Sequence, residues 1–276
     1  MERDSYTNFA YVYDELMDNV PYDEWAEYLC GLLKEYGVDG GLVCELGCGT
    51  GQMTRRLAKA GYDMIGIDLS EDMLWVAREQ EYDNAGEEDI AEGQNDILYL
   101  QQDMRSFELY GTVKAIVSIC DSMNYITEPK DLLQVFRLVN NYLDPDGIFI
   151  FDMNTIHKYR DIIGEQTIAE NREDISFIWE NSFDEETGKN EYALTLFLQK
   201  EEQPQLYEKY EELHVQRAYS LPEVKKLLQE AGLKFIAAYN VLTREAPDEN
   251  CERMYIIAAE GHQEGKLYTP LENETV

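Results

Sequence analysis

Apolar residues along the first half of the chain recur at two different periods. Over residues 9–36, FAYVYDELMDNVPYDEWAEYLCGLLKEY, they fall at helical spacing, with a break near Pro21. That predicts two helices, the second running from about 22 to 36, because an internal proline removes a backbone donor. GLVCELG (41–47) is a short buried strand, and QMTRRLAKAG (52–61) is a helix stopped by Gly61. YDMIGIDLS (62–70) is a second strand, and Ser70 is placed to cap a helix over EDMLWVAREQ (71–80). The polar stretch 82–96 reads as an exposed loop that takes in a fraying helix end. ILYLQQDM (97–104) and VKAIVSICD (113–121) are strands three and four. PKDLLQVFRLVNNYLDPDG (129–147) is a helix with a closing turn, and IFIFDMN (148–154) is strand five.

Short strands alternating with helices predict a parallel sheet sandwiched by helices, with right-handed connections. The pattern changes after residue 164. SFIWENSF (176–183), NEYALTLFLQ (190–199) and LYEKYEELHVQRAY (206–219) read as strands joined by turns at DEETGKN and KEEQPQ. Helix LPEVKKLLQEAG (221–232) and strands LKFIAAYNVL (233–242) and RMYIIAAEG (253–261) then restore the alternation. The expected organisation is therefore a main domain from 1–164 and 220–261. An antiparallel elaboration occupies 165–219, and a polar tail without an evident partner follows at 262–276.

Composition narrows the partners. Acids number 56 against 23 Lys plus Arg, a formal charge of −33 over 276 residues. Such a surface repels nucleic acid and anionic membrane, so neither is expected as a partner. Five cysteines, at 30, 44, 48, 120 and 251, form no disulfide framework and no metal-ligand spacing. No metal is expected. The opening residues, MERDSYTNFAYVYDELM, have neither the charge pattern nor the apolar run of a signal peptide or membrane span. A reducing cytoplasm is the expected setting.

The chemistry concentrates at LVCELGCGTGQM (42–53). Gly47, Gly49 and Gly51 let the backbone approach a ligand where a strand turns into a helix. A dinucleotide fingerprint needs a third glycine where Gln52 stands, and a phosphate-binding loop needs a lysine that is absent between 43 and 58. Glu45 has the wrong sign for a pyrophosphate and the right sign for an ammonium group. Asp68 ends strand two, where a carboxylate accepts hydrogen bonds from ribose hydroxyls. Asp103 ends strand three, placed to accept from an exocyclic amine, with Met104 against a ring and Leu69 and Met73 on its other side. Core filling is the competing reading for each methionine. Asp121 ends strand four, placed to orient substrate, close the pocket or cap the following turn.

In this order VCELGCGTG (43–51), GIDLS (66–70), QDM (102–104) and ICDSMNYI (119–126) resemble the successive motifs of class I S-adenosylmethionine-dependent methyltransferases. The resemblance covers about residues 40–155 and resumes at 221–260. It implies a Rossmann-like seven-stranded sheet, six strands parallel and the last antiparallel, and S-adenosyl-L-methionine as cofactor. On that reading Glu45, Gly47, Cys48 and Gly49 line the amino acid end of the cofactor. Asp68 then holds the ribose and Asp103 and Met104 face the adenine, with Leu69, Met73 and Asp121 counted among the cofactor-binding residues. The aromatic N-terminus and the strand insertion are similar to small-molecule N- and O-methyltransferases. The Asn/Asp-Pro-Pro-aromatic pattern of base-methylating relatives is replaced by CDSMNY, which argues against nucleic acid bases.

The expected reaction is in-line transfer of a methyl group to a nitrogen or oxygen of a small-molecule acceptor by a monomer or homodimer. Tyr6, Phe9, Tyr11 and Tyr13 are candidates for a lid, and Tyr13, followed by Asp14, is the preferred contact. A base is needed only if the acceptor arrives protonated. His157, beyond strand five, is the candidate base, with His214 behind it, while Tyr125, after strand four, and Asn154 are candidates to bind substrate. The alternatives are a protein methyltransferase, a non-catalytic cofactor-binding scaffold and, less favoured by Gln52 and Glu45, a nicotinamide-dependent oxidoreductase.

Overall fold

The structure is a computed structural model and describes residues 6–84, 97–200, 203–262 and 266. Two helices, α1 (Tyr6–Leu16) and α2 (Tyr22–Glu35), precede a run of β1 (Gly41–Leu46), α3 (Gln52–Lys59), β2 (Tyr62–Asp68) and α4 (Glu71–Asn84). Then come β3 (Leu98–Gln101), β4 (Val113–Ser118), a 3-10 turn (Ser122–Tyr125), α5 (Pro129–Tyr142) and β5 (Leu143–Asn154). A π-helical turn (Lys158–Ile163) leads into β6 (Thr167–Asn171), β7 (Ile175–Asp184), β8 (Lys189–Lys200) and β9 (Gln203–Arg217). Helix α6 (Leu221–Glu230) and strands β10 (Lys234–Asn240) and β11 (Arg253–Ala259) close the chain.

The main sheet has the order β10-β11-β5-β4-β1-β2-β3. β1 pairs in parallel with both β2 and β4, and β11 runs antiparallel to β5 and β10. Chain direction through the sheet thus reverses its stepping at β1 and β4. That switch point leaves a crevice beyond their C-terminal ends, where ligands of such sheets bind. Each face carries its own core. Phe136 of α5, Leu228 of α6 and the stacked Phe149 and Phe151 of β5 fill one. Leu29, Leu32 and Leu33 of α2 and Leu57 of α3 fill the other.

The second sheet is a four-stranded antiparallel meander, β6-β7-β8-β9. A third apolar cluster, with Ala10 of α1, Met73 and Val76 of α4, and Leu194 and Leu196 of β8, binds it to the helices above the crevice. Three expectations change here. Strand β6 was not read from the sequence: TIAEN is short, fully exposed and at an edge, so burial imposes no apolar alternation on it. Helix α4 continues to Asn84, so the start of the stretch read as a loop is helical, and 85–96 lies outside the described residues. The tail has a partner: the buried ammonium of Lys266 donates to the carbonyls of Asn140 and Leu143 and to Glu260. The expected cap forms, with the Met73 N–H donating to Ser70 Oγ at 3.2 Å. No helix among the described residues is long and apolar enough to cross a membrane, and none of their side chains cluster as metal ligands.

Candidate active site

The site is built on the turn after β1. Gly47, Gly49 and Gly51 all have positive φ, at 73°, 53° and 75°. Two of them are glycine for internal reasons as well: a Cβ on Gly47 would lie 2.7 Å from Ser122, and one on Gly51 2.6 Å from Tyr99 Oη. At Gly49 a Cβ would meet nothing within 4 Å, so there the bare backbone faces open space. The Gly49 N–H donates to Asp68 Oδ2 at 2.8 Å, and the Ser70 N–H donates to Oδ1 at 2.9 Å. Asp68 is thereby fixed beside the glycine loop with lone pairs to spare. Burial raises its pKa.

Glu45 lies at the end of β1 and is 2% exposed. Its Oε2 accepts a hydrogen bond from the Thr54 hydroxyl. Burial pushes its pKa up to about 8, opposed by the Thr54 bond and reinforced by Asp68. A carboxyl held this way gains most from a cation brought against it. Glu45, the bare Gly49 backbone and Asp68 therefore fit a ligand with an ammonium at one end and hydroxyls at the other. Cys48 is buried beneath the loop, and Met104 packs into the core beside Gly47.

The other residues singled out from the sequence divide. Leu69 is 65% exposed next to Asp68. Met73 instead packs into the apolar cluster between α1, α4 and the second sheet. Asp103 is clasped by the Arg105 guanidinium, which contacts both of its carboxyl oxygens and lowers its pKa. Tyr13 is pushed above the usual phenol range by burial, and its neighbours include Tyr22, Cys120, Tyr125 and Asp121, so α1 brings it over the end of β4. The side chains of Tyr6, Phe9 and Tyr11 lie outside the described residues. Asp14 clasps α1 to the glycine loop, accepting from Thr50 Oγ1 and Gln80 Nε2, each at 2.6 Å. His157 points to Asp161, 2.9 Å away on its own turn, and the structure brings no other candidate to it.

Beyond β4 the chain turns through two successive left-handed non-glycine residues, Cys120 (φ 62°) and Asp121 (φ 52°). Such backbone is held only by strong local interactions. Their N–H groups both donate to Asp152, at 3.2 Å from Cys120 and 2.7 Å from Asp121. Arg253 of β11 bridges Asp121 Oδ1 at 2.6 Å and Asp152 Oδ2 at 2.8 Å. Gln216 of β9 donates to Asp121 Oδ2 at 2.7 Å and accepts from Tyr159 Oη at 2.7 Å. Asn154 joins through Tyr159, donating to its Oη at 3.3 Å. Sequence reasoning found Asp121 and Asn154 and missed Asp152, Arg253 and Gln216, which lie inside strands and face inward.

The second sheet roofs this floor. Tyr125 Oη lies 2.6 Å from Tyr192 Oη of β8 and 3.2 Å from His214 Nδ1 of β9. His214 Nε2 lies 3.0 Å from Glu212 Oε2, and its ring stacks on Tyr192 with centroids 4.9 Å apart. Trp179 of β7 meets Tyr192 at 4.7 Å. The strand ends of the main sheet and the inner face of the insertion thus share one polar and aromatic cluster.

Comparison with known proteins agrees with this fold. The methyltransferase domain family model matches residues 43–147. A candidate methyltransferase of Geobacillus sp. strain WCH70 is 34% identical over 256 residues, covering 92% of this chain and 99% of that protein. A dTDP-3-amino-3,4,6-trideoxy-alpha-D-glucopyranose N,N-dimethyltransferase of Streptomyces venezuelae is 26% identical over 127 residues, which is 46% of this chain and 48% of that protein. Among solved structures, an S-adenosylmethionine-dependent methyltransferase from Clostridium acetobutylicum matches with a TM-score of 0.79 at 25% identity. The match covers 94% of this chain and all of that one.

Proposed function

This chain belongs to the class I S-adenosylmethionine-dependent methyltransferases, and we propose that its acceptor is a small molecule presenting a nitrogen or oxygen nucleophile. The observation that carries the proposal is the roof. Gln216 on Asp121, and Tyr192 and His214 on Tyr125, close the acceptor side of the crevice with side chains of the insertion. Insertion side chains over the strand ends narrow the approach for a folded protein or a duplex, and the charge of −33 repels polyanions. The Streptomyces relative is named for action on an amino sugar, which agrees with an acceptor of that size. The same proposal places the enzyme in the cytoplasm as a monomer or homodimer.

When bound, S-adenosyl-L-methionine supplies a methyl group on a sulfonium, already activated for displacement. The chain's own work is then binding and aim. Glu45 would receive the ammonium end, the Gly47–Gly49 backbone would lie along the amino acid part, and Asp68 would accept from the ribose. Met104 and Leu69 would flank the adenine, and Asp103, clasped by Arg105, would be the carboxylate nearest its amine. Tyr13 and Asp121 border the acceptor. Holding both reactants in line removes much of the entropic barrier. The test measures S-adenosylhomocysteine release with small-molecule, peptide and protein acceptor panels. Turnover restricted to protein acceptors would overturn the proposal, and absence of cofactor-dependent turnover on any acceptor would favour a scaffold.

A further inference from the structure

Strand β9 is amphipathic in the unexpected sense. Its inward residues include Glu212, His214 and Gln216, while the intervening Leu213 is 65% exposed. A strand that turns polar groups in and an apolar one out is giving up burial energy, which marks a site. Glu212 is 9% exposed, and its Oε1 is buried without a hydrogen-bond partner among the described residues. The buried Trp179 Nε1 is in the same condition, on the strand position paired through Leu194 with Glu212. Unsatisfied buried atoms cost about 1–3 kcal/mol each, so a partner is expected for both.

Resting on the small-acceptor reading above, we propose that Glu212 and His214 are the acceptor-handling groups and that the acceptor is an amine arriving as an ammonium ion. Glu212 Oε1 accepts a second polar hydrogen of the acceptor, the Trp179 indole N–H donates to a hydroxyl or ether oxygen of the same molecule, and the reacting ammonium lies at Tyr125. Glu212 Oε2 accepts from His214 Nε2–H, which leaves Nδ1 as the acceptor facing the Tyr125 hydroxyl. Tyr125 passes its hydroxyl proton to His214 Nδ1 as it takes one from the ammonium. The freed nitrogen lone pair forms the bond to the methyl carbon, and the carbon–sulfur bond breaks with its electron pair left on sulfur. The proton ends on the imidazole, held by Glu212. The imidazole is faced by Glu212 of β9, Tyr192 of β8 and Tyr125 of the 3-10 turn. Asp121 and Tyr159 stand behind Tyr192, and Tyr13 of α1 stands beside Tyr125.

The experiment uses the full chain with S-adenosylmethionine and a panel of sugar-sized primary and secondary amines, each paired with its hydroxyl counterpart. Amines are expected to react and their hydroxyl partners not. Glu212→Gln should raise KM for the amine at least about tenfold, the loss of one charge-assisted hydrogen bond, with cofactor affinity unchanged. His214→Asn should lower kcat about a hundredfold near neutral pH with little change in KM. That loss should shrink as pH rises and the amine arrives unprotonated, a recovery that a purely structural role would not give. Tyr125→Phe, which keeps the ring, should follow His214→Asn. Turnover of hydroxyl compounds instead, no amine turnover by cofactor-loaded protein, or folded variants with unchanged kinetics would each overturn the inference. Failure to bind S-adenosylmethionine would overturn the reading beneath it, and the inference with it.

Discussion

Glu45→Gln should make the protein more stable and a poorer binder at once. In the unfolded chain the Glu45 carboxyl titrates near 4.5, while burial in the folded protein holds it at about 8. The folded state therefore binds a proton that the unfolded state has released. Stability from this group is fully present below pH 4.5 and is lost as pH rises toward about 8. Each pH unit across that window costs about 1.4 kcal/mol, so at pH 7 folding carries a penalty of about 3 kcal/mol. Glutamine keeps the shape and still accepts from the Thr54 hydroxyl, but has nothing to protonate. Without ligand, Tm at pH 7 should rise by about 6–12 °C, and the gain over wild type should fade as pH drops toward 4.5. S-adenosylmethionine affinity should fall about 10- to 100-fold, because the amide offers no charge to the ammonium. Thermal melts across the pH range and isothermal titration measure the two effects. A variant with unchanged or lowered Tm at pH 7, or with full cofactor affinity, would refute the assignment of a buried, cation-seeking carboxyl.

Asp68→Ala should weaken cofactor binding about 10- to 100-fold in calorimetry, with Asp68→Asn intermediate, since the carboxyl also holds the Gly49 and Ser70 N–H groups. Unchanged affinity in a folded variant would remove Asp68 from the ribose site. Arg253→Met should cost about 3–5 kcal/mol in urea unfolding, because it strands Asp152, which is fully buried, and Asp121 without their cation. Adding Asp152→Asn should recover part of that loss. His157→Ala should change both stability and kcat/KM little, within about 0.5 kcal/mol, since His157 pairs only with Asp161 at the surface. A large loss of kcat would instead restore it as a base.

The strand–helix alternation was legible because burial on two faces forces it, and the glycine loop because three positive-φ positions admit little else. Glu45 and Asp68 were legible because they stand at fixed offsets from that loop. Met73 was not separable from a ligand contact: the same thioether at helical spacing serves a cofactor or a core, and its packing against Leu194 and Leu196 is visible only in the fold. Asp152 and Arg253 escaped because each sits inside an apolar strand, IFIFDMN and RMYIIAA, and their pairing spans a hundred residues. No local pattern encodes the adjacency of β5 and β11. The preference for His157 over His214 rested on sequence position alone, without topology. His157 lies nearer the ligand edge in sequence, whereas His214 reaches Tyr125 because the meander folds back over that edge.

One local signal did point to the roof. In EELHVQR the apolar Leu213 alternates with Glu212 and His214, and a half-buried strand would normally set the leucine inward. The register pairs Tyr192 with His214 and Leu194 with Glu212, and Leu194 faces the core, so Glu212 and His214 face inward and Leu213 outward. A one-residue slip of β9 would bury Leu213 and expose Glu212, His214 and Gln216, restoring ordinary amphipathicity to β9 while Leu194 and Leu196 of β8 kept facing the core. The observed register therefore stands only because β8 carries the apolar burden for the pair. That division of labour predicts how specificity varies among relatives of this architecture. Substitutions at 212 and 214 should change acceptor handling at less cost in stability than substitutions at Leu194 or Leu196, which unseat the sheet from α1 and α4. Leu196→Ala should thus cost about 2–5 kcal/mol and raise KM for cofactor and acceptor together, since α1 is pinned to both sites. A Leu196→Ala enzyme that loses acceptor affinity alone would show that the roof is held by its polar contacts instead.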